Sequence, residues 1–408
     1  MSPIGTLNIG VVGCGVAGPA AAALLADAGH HVTLFERFSE PAPSGAGLLL
    51  QPTGLAVLRH LGLGEQADRL GARIDGLLGL NQLGHIVLDL AYADLHPAAY
   101  GLGLHRSVLF GLLLARLQRS TATLTTDAEI VDIVREAGRA TVIDRTGRRH
   151  GPFDLVVVAD GAHSRLRERV MPRARAPLYP WGCIWATVAD KRGFATAPAM
   201  LQQRLRGATT MMGLLPVGQG LVTLFWSLPA AALEPGRPID MDAWRMDALT
   251  LWPEAAGLIE QVADTDSFAR ATYRHVALPS WNVGPVLFIG DAAHGTSPQL
   301  GQGANLGLLD ALVLSQALAA AADLGSALAL FARRRSSSVR FYRQASHLLT
   351  PLFQSDQPLL GPARDALLGA ARFAPGLRPI MTSTLAGLRR GWLSADTLDA
   401  EGRYRLDS

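Results

Sequence analysis

The sequence predicts an α/β protein in three parts: a discontinuous parallel-sheet domain of Rossmann-like construction, an inserted antiparallel-sheet module and a helical C-terminal tail. Three observations predict it. An apolar strand, a glycine-spaced turn, an Ala/Leu helix and a second strand follow one another within residues 8–36. The same style, an apolar strand running into a glycine turn and a helix, returns at residues 286–305. Between them, residues 181–228 hold several strand-like segments with no intervening helix, which marks antiparallel pairing. The expected spans are 1–72, 98–176 and 276–345 for the discontinuous domain, 73–97 and 177–275 for the second domain, and 346–408 for the tail.

In order, Asn8–Gly13 reads as a short buried strand, Ala17–Ala28 as a helix stopped by Gly29, and His31–Glu36 as the next strand, completing a βαβ unit. Loop-like sequence around Pro41, Pro43, Ser44 and Gly45 leads into Gly47–Leu50, and a helix follows near Leu55–Leu61. Residues 74–90 alternate like a hairpin turning at Asn81–Gly84. Arg106 stands just before a helical pattern over 108–117, strands follow at 129–135 and 139–144, and 153–159 reads as another fully buried strand. The inserted module offers strands near 182–190, 199–205, 209–215 and 220–228, helices within 241–262 and a strand near 267–275. From Ala304 nearly everything reads as helix, broken by Gly325, Pro351, Pro358, Pro362, Pro375 and Pro379. The cluster Arg333-Arg334-Arg335 reads as a solvated helix face.

Composition narrows the functional classes. The chain has 408 residues, 49% hydrophobic and 17% charged, which describes an apolar globular protein of two or three domains. Its formal charge of +3 comes with no basic stripe interleaved with aromatics, so nucleic acid is not an expected partner. Cys14 and Cys183 cannot make a disulfide framework, and with no basic leader a reducing cytoplasm is the expected location. Residues 9–28 are apolar, but Gly10, Gly13, Gly15, Gly18 and Pro19 suit a strand, turn and helix better than a membrane span, and no membrane insertion is expected. No metal site is expected either.

Three motifs carry chemistry. Gly13-Cys14-Gly15-Val16-Ala17-Gly18 is a full G-x-G-x-x-G between strand and helix. Gly13 permits the tight turn, Gly15 lets the backbone approach a pyrophosphate, and Gly18 lets helix and sheet pack closely. The helix N-terminus supplies free N–H groups and a positive dipole end to the phosphates. Glu36 ends the second strand, where a carboxylate can hydrogen-bond an adenosine ribose. It suits FAD or NAD better than NADP, although Arg37 follows it. The second motif, Asp160-Gly161-Ala162-His163-Ser164-Arg165-Leu166-Arg167, runs from a strand end into a helix, and by itself could be an ordinary Asp-Gly turn capped by Ser164. The third is Val286–His294 with Pro298 and Gly301-Gln302-Gly303-Ala304-Asn305. Asp291 at the strand end can accept a hydrogen bond from a ribityl or ribose hydroxyl, and the backbone of 301–303 can offer N–H groups to an electron-rich ring edge. His294 reads as a packing residue.

Taken together and in this order, the three motifs resemble the FAD-dependent aromatic hydroxylases, the single-component flavoprotein monooxygenases typified by para-hydroxybenzoate hydroxylase, over about residues 8–345. The resemblance implies a discontinuous FAD-binding domain, with Gly13, Gly15, Gly18 and Glu36 at the ADP part of FAD and Arg106 along the cofactor. It puts Asp291 at the ribityl-pyrophosphate region, Gly301, Gln302 and Gly303 at the flavin pyrimidine edge, and Pro298 on the oxygen-activating face. Asp160-Gly161 is linked in the family to both FAD and the nicotinamide cofactor. The implied reaction is reduction of FAD by NADH or NADPH, then formation of a C4a-hydroperoxide with O2 and hydroxylation of an aromatic or polycyclic small molecule. The chain has no second G-x-G-x-x-G, unlike two-dinucleotide reductases, and Trp181-Gly182-Cys183-Ile184-Trp185 does not match the tryptophan-halogenase signature.

The antiparallel module should form the other wall of the pocket. Candidate lining residues are Met211, Met212, Leu214, Phe225 and Trp226, with Leu48, Leu49 and Leu50 from the early loop; alternation lets only about half of them face it. Gln202, Arg204, Thr210 and His105 are candidate polar anchors, and no substrate-activating base is identified. Two other readings stand beside the monooxygenase: a flavin-dependent reductase or oxidase without oxygen insertion, and a non-catalytic flavin-binding accessory protein. A monomer or a homodimer is expected.

Overall fold

The computed structural model describes residues 4–41, 46–371, 373–374 and 376–406; Pro43, Ser44, Gly45 and Pro375 of the predicted loop and breaker positions lie outside them. A six-stranded sheet organises the first part of the fold. Its order is Asn282–Val283, Val286–Phe288, Leu155–Val158, Asn8–Val12, His31–Phe35 and Thr123–Thr125. All neighbours are parallel except the edge pair Asn282–Val283 with Val286–Phe288. Side chains alternate between the two faces of a strand, and here both faces are covered, so the strands are apolar throughout. Ile9, Val11, Leu34, Leu155, Val157 and Leu287 pack against helices Ala17–Asp27, Arg106–Gln118 and Gly303–Ala320. Val12, Phe35, Val156, Val158 and Phe288 pack the other way, against a three-stranded meander of Ile130–Glu136, Arg139–Asp144 and Arg149–Phe153.

The strand expected over 153–159 is therefore two. Phe153 closes the meander and Leu155–Val158 enters the parallel sheet. Asp154 makes the corner, its carboxylate accepting the Asn8 N–H at 2.8 Å and pairing with Arg139 at 2.9 Å. Residues 9–28 form strand, turn and helix inside the core. Among the described residues one helix, Gly303–Ala320, is long and apolar enough to cross a membrane, and 61% of that window is buried against its neighbours.

The second sheet has seven strands in the order Ala269–Arg274, Leu178–Ala189, Leu221–Pro229, Thr210–Gly218, Met200–Arg206, Gly76–Asn81 and Ile86–Ala91. It is antiparallel except where Met200–Arg206 meets Gly76–Asn81 in parallel. The early hairpin turns where expected, with Asn81 Oδ1 accepting N–H groups of Leu83 and His85. One face carries Ile184, Met212, Leu214, Leu224 and Trp226 into a core with Trp244, Trp252 and Phe268 from the 241–268 segment. The other carries Leu205, Met211 and Phe225, which pack with Val87 and Phe353. A small third sheet of Gly47–Leu50, Gly101–His105 and Ala72–Ile74 lies between the two larger ones.

The tail departs from an all-helical reading. Helices Leu324–Phe353, Leu360–Ala371 and Leu377–Leu385 are present, but residues 389–404 run as turns and isolated bridges. Gly387 adopts φ +83°, and a Cβ there would stand 2.4 Å from Thr53 Oγ1, so the chain turns against the core at this point.

Trp252 is fully buried in the outer core, on the sheet face away from Met211 and Phe225. Trp252→Ala is expected to lower unfolding free energy by about 3–5 kcal/mol in urea titrations while leaving flavin content per folded molecule unchanged.

Candidate functional site

The glycine turn is built as its spacing requires. Gly13 has φ +104°, and its N–H donates to Phe35 O at 2.9 Å, locking the turn to the second strand. A Cβ on Gly18 would lie 1.9 Å from Gly13 O, so only glycine permits this approach of helix to turn. A Cβ on Gly15 would meet nothing, and no side chain caps helix Ala17–Asp27. The first turn of that helix thus offers N–H groups to an open space beside Gly15, which is the shape and polarity a pyrophosphate needs. Glu36 closes the end of the strand: Oε2 accepts the Cys14 N–H at 3.0 Å and Oε1 the Phe38 N–H at 3.1 Å. Arg37 is exposed and lies over the Phe38 ring, and Arg106 is exposed as the first residue of its helix. Cys14 is buried beneath the turn, where burial and the Glu36 charge push its thiol up to about 12.

The segment after the sheet is held by a buried ionic centre. Gly290, at φ +59°, turns the chain out of strand Val286–Phe288 into the short helix Asp291–His294. Asp310 is fully buried on helix Gly303–Ala320 and accepts the Gly290 N–H at 2.9 Å, His294 Nε2 at 2.6 Å and Arg335 Nε at 2.7 Å. Burial works against its charge, but His294, Arg335 and the Gly290 N–H together hold it below the usual carboxylate range. Arg335 also donates to Leu306 O and is 4% exposed, so the basic cluster on this helix is not uniformly solvated: Arg333 and Arg334 are exposed while Arg335 is a core ion. His294 packs edge-on against Trp281 and belongs to the same centre. Asp291 is turned the other way. Its carboxylate makes no hydrogen bond to another described residue, and a Cβ on Gly303 would lie 3.5 Å from Asp291 Oδ1.

The loop 298–305 completes this side. Gly301 is left-handed at φ +61°. Asn305, fully buried, donates to Leu49 O and Gly301 O and accepts the Gln51 N–H at 2.8 Å. Gln51 Oε1 accepts the Tyr92 hydroxyl at 2.5 Å. The Gln302 amide is directed to Leu385 O and Leu300 O, while Gln302 Oε1 and Gln51 Nε2 are buried without a partner. Pro298 is exposed. The Asp160 loop lies beside the same turn. Arg167, 1% exposed, donates to Ala162 O and Ala292 O and so ties this loop to the Asp291–His294 helix. Asp160 Oδ1 has no partner, and burial raises its carboxyl to about 6 against the opposing pull of Ser164, Arg167 and Arg37.

The substrate-side candidates separate by face. Met211 and Phe225 share the face that packs with Phe353, and Leu49 joins Leu77 and Leu215. Met212, Leu214 and Trp226 point into the outer core with Trp252 and do not line this side, because neighbouring residues in a strand face opposite ways. Gln202 and Arg204 are on that outer face too, opposite Leu214 and Met212, with Arg204 stacked on Trp252. Leu50 is in the helix-side core. His105 is the N-cap of helix Arg106–Gln118, accepting the Ser107 N–H. Trp185 and Gln203, paired with Phe225 and Gly213, share the inner face; the motif reading missed them, although the strand alternation that places Phe225 contains the signal. Arg167, Asp310 and Gln51 were missed because their partners are distant in sequence.

Fold and cradle together define a flavoprotein: open backbone at Gly15, unpartnered polar atoms at Asp160 and Gln51, and a free Asp291 carboxylate fit a two-ended dinucleotide. A family model described as FAD binding domain matches residues 6–331. The chain is 31% identical over 325 residues to 3-amino-4-hydroxybenzoate 2-monooxygenase of Streptomyces cremeus, covering 76% of this chain and 77% of that one. It is 28% identical over 368 residues to 2-heptyl-3-hydroxy-4(1H)-quinolone synthase of Pseudomonas aeruginosa, covering 86% and 91%. The crystal structure of Klebsiella pneumoniae HpxO with FAD and uric acid superposes with a TM-score of 0.78 at 22% identity, covering 93% and 97%, a likeness of fold. The chain belongs to the FAD-binding-domain family and is an FAD-dependent monooxygenase.

Asp310→Asn leaves Arg335 buried opposite a neutral group, and a loss of about 3–5 kcal/mol in unfolding free energy is expected, with weaker FAD retention. Arg334→Ala, at the exposed neighbour, should stay within about 0.5 kcal/mol of the parent. Asp160 gives a pH prediction. An unfolded aspartate ionises near ~4, so the proton that folded Asp160 keeps up to about 6 favours the folded apoprotein at low pH, and that contribution is lost as pH rises between them. Asp160→Asn apoprotein should therefore melt higher than the parent at pH ~7, with the difference shrinking towards pH ~4; an equal difference at both would contradict this.

Proposed function

We propose that the chain hydroxylates an aromatic or polycyclic small molecule with NADH or NADPH as electron donor and O2 as co-substrate. The observation that carries this is the inner face of the large sheet. Met211, Phe225 and Trp185 form an apolar wall there. Thr223 on the same face accepts the Gly47 N–H at 3.0 Å. On the opposite side Gln299, next to Pro298, donates to Gln354 Oε1 at 2.9 Å, and Gln354 donates to Gly182 O at 3.0 Å. Segment 47–51 reaches this face through Thr223, and segment 298–303 reaches the same sheet through Gln299 and Gln354, so apolar side chains and a few polar groups come together there, which supports a planar ring as substrate.

Bound FAD supplies two-electron redox chemistry and activates O2 for oxygen transfer. The chain's own contributions follow from position. Gly13, Gly15, Gly18 and the helix N-terminus hold the pyrophosphate, and Glu36 the adenosine ribose, with Arg37 and Arg106 flanking the cofactor. Asp291 accepts from the ribityl-pyrophosphate region. Gln302 and Gly303 present backbone N–H groups to the ring edge, while the Gly301 N–H is taken by Pro298 O at 2.8 Å and the Gln302 side-chain amide by Leu385 O. Pro298 faces the oxygen-activating side, and Asp160 stands near the cofactor with a carboxyl that burial raises to about 6. Leu49, Met211 and Phe225 exclude water from the substrate, and Gln203 is the polar group on their face. The names of the relatives support a ring substrate, since an aminohydroxybenzoate and a quinolone are aromatic.

The test is turnover under isotopically labelled O2. An aromatic substrate should stimulate NAD(P)H oxidation and emerge carrying one labelled oxygen. Turnover without label would establish the reductase or oxidase reading, and a flavin that neither nicotinamide cofactor reduces would establish the accessory-protein reading.

A further inference from the structure

A cavity lies behind the turn that carries Asp291. Strand Ala269–Arg274 is followed by His275–Ala277, which run beside that turn, with the Val276 N–H donating to Gly295 O at 2.8 Å. Between these residues and helix Leu324–Phe353 is a cavity of about 560 Å³ lined by His275, Arg343, Gln344, His347, Leu348 and Trp392, among others. A smaller recess shares Arg343 and adds Arg340. The larger volume is in the range that takes a small organic ligand.

The lining is specific in character. No carboxylate lines either recess among the described residues, whereas two guanidiniums do. Neither Arg340 nor Arg343 has an ion-pair or hydrogen-bond partner among the described residues, in a protein where Arg335, two turns earlier on the same helix, is fully engaged. Both ring nitrogens of His275 are buried without a partner. Its ring packs edge-on between Tyr179 at 5.1 Å and His347 at 5.4 Å. Burial, and the neighbouring His347, hold His275 below the ordinary imidazole range, leaving it neutral with one donor and one acceptor to offer. Trp392 is also fixed, by its N–H to Gln344 Oε1 at 3.0 Å and by the Phe341 ring at 5.0 Å. A half-buried imidazole with both nitrogens unpartnered, guanidiniums without partners and a half-exposed indole are what a planar anion entering from the surface would use.

We propose that this cavity is a binding site, separate from the flavin cradle, for a small planar aromatic anion of the carboxylate class. Arg343 is its charge partner, His275 its hydrogen-bond partner and Trp392 its stacking wall. None of these residues is among those assigned to the flavin cradle above.

The experiment is a calorimetric titration of the FAD-loaded enzyme with 1-naphthoate, with the flavin absorbance followed in parallel to register any occupancy beside the flavin. A binding event silent in the flavin spectrum and accompanied by quenching of tryptophan fluorescence is expected. Arg343→Ala should weaken that event at least tenfold, Arg343→Lys less, and Trp392→Phe should remove its quenching. Arg334→Ala, on the exposed face of the same helix, should leave it unchanged. The proposal is overturned if all naphthoate binding perturbs the flavin, if Arg343→Ala binds as the parent does, or if neutral 1-naphthamide binds the silent site equally well.

Discussion

A single buried carboxylate, Asp310, fixes the geometry on which the flavin site depends. With no exposed surface, it must be answered from all sides, and its three donors come from two separate segments: the Gly290 N–H and His294 from one turn, and Arg335 from a distant helix. An ion in so low a dielectric tolerates little displacement, because each lost donor leaves uncompensated charge. The Gly290–His294 turn is consequently held against helices Gly303–Ala320 and Leu324–Phe353 as one unit. Asp291, the next residue after the pinned glycine, is left with its carboxylate free, beside Gly303.

The other half of the cradle is positioned by the sheet. Val12 and Phe288 end strands that both flank Leu155–Val158, so Gly13, Asp160 and Gly290 emerge at the same edge from three adjacent strands. Residues far apart in sequence thus converge at the carboxyl ends of parallel strands, where α/β sheets bind nucleotides. Arg167 adds a cross-tie, its guanidinium reaching carbonyls of both the Asp160 loop and the Asp291 helix. On the opposite side Asn305, Gln51 and Tyr92 form a buried polar chain that sets loop 47–51 against loop 301–305.

The cradle was largely legible because its chemistry is local. Gly13, Gly15 and Gly18 state a backbone requirement within six residues, and Glu36 and Asp291 stand where their strands end. The facing of the proposed substrate wall was half legible. Strand positions 210–228 can be read from composition, but which face of each strand looks inward depends on what packs against it. Helix Met241–Leu251 and Trp252 take Met212, Leu214 and Trp226, and Phe353 takes Met211 and Phe225. Arg335 was read as solvated for the same reason. A run of three arginines resembles a surface, and only the approach of Asp310 makes the third a core residue.

By itself the sequence determined the order of elements and the glycine-dependent turns, since these rest on short-range backbone constraints and on apolar periodicity, and the family and cofactor followed from the resemblance its three motifs carry. The tertiary structure alone decided which side chains meet: His294 with Asp310 and Arg335, Arg167 with Ala292, Asn305 with Gln51, and His275 with His347 across an unshared cavity. Those pairings are long-range and electrostatic or steric, and their strength depends on burial, a property that a residue acquires only when the chain has closed around it.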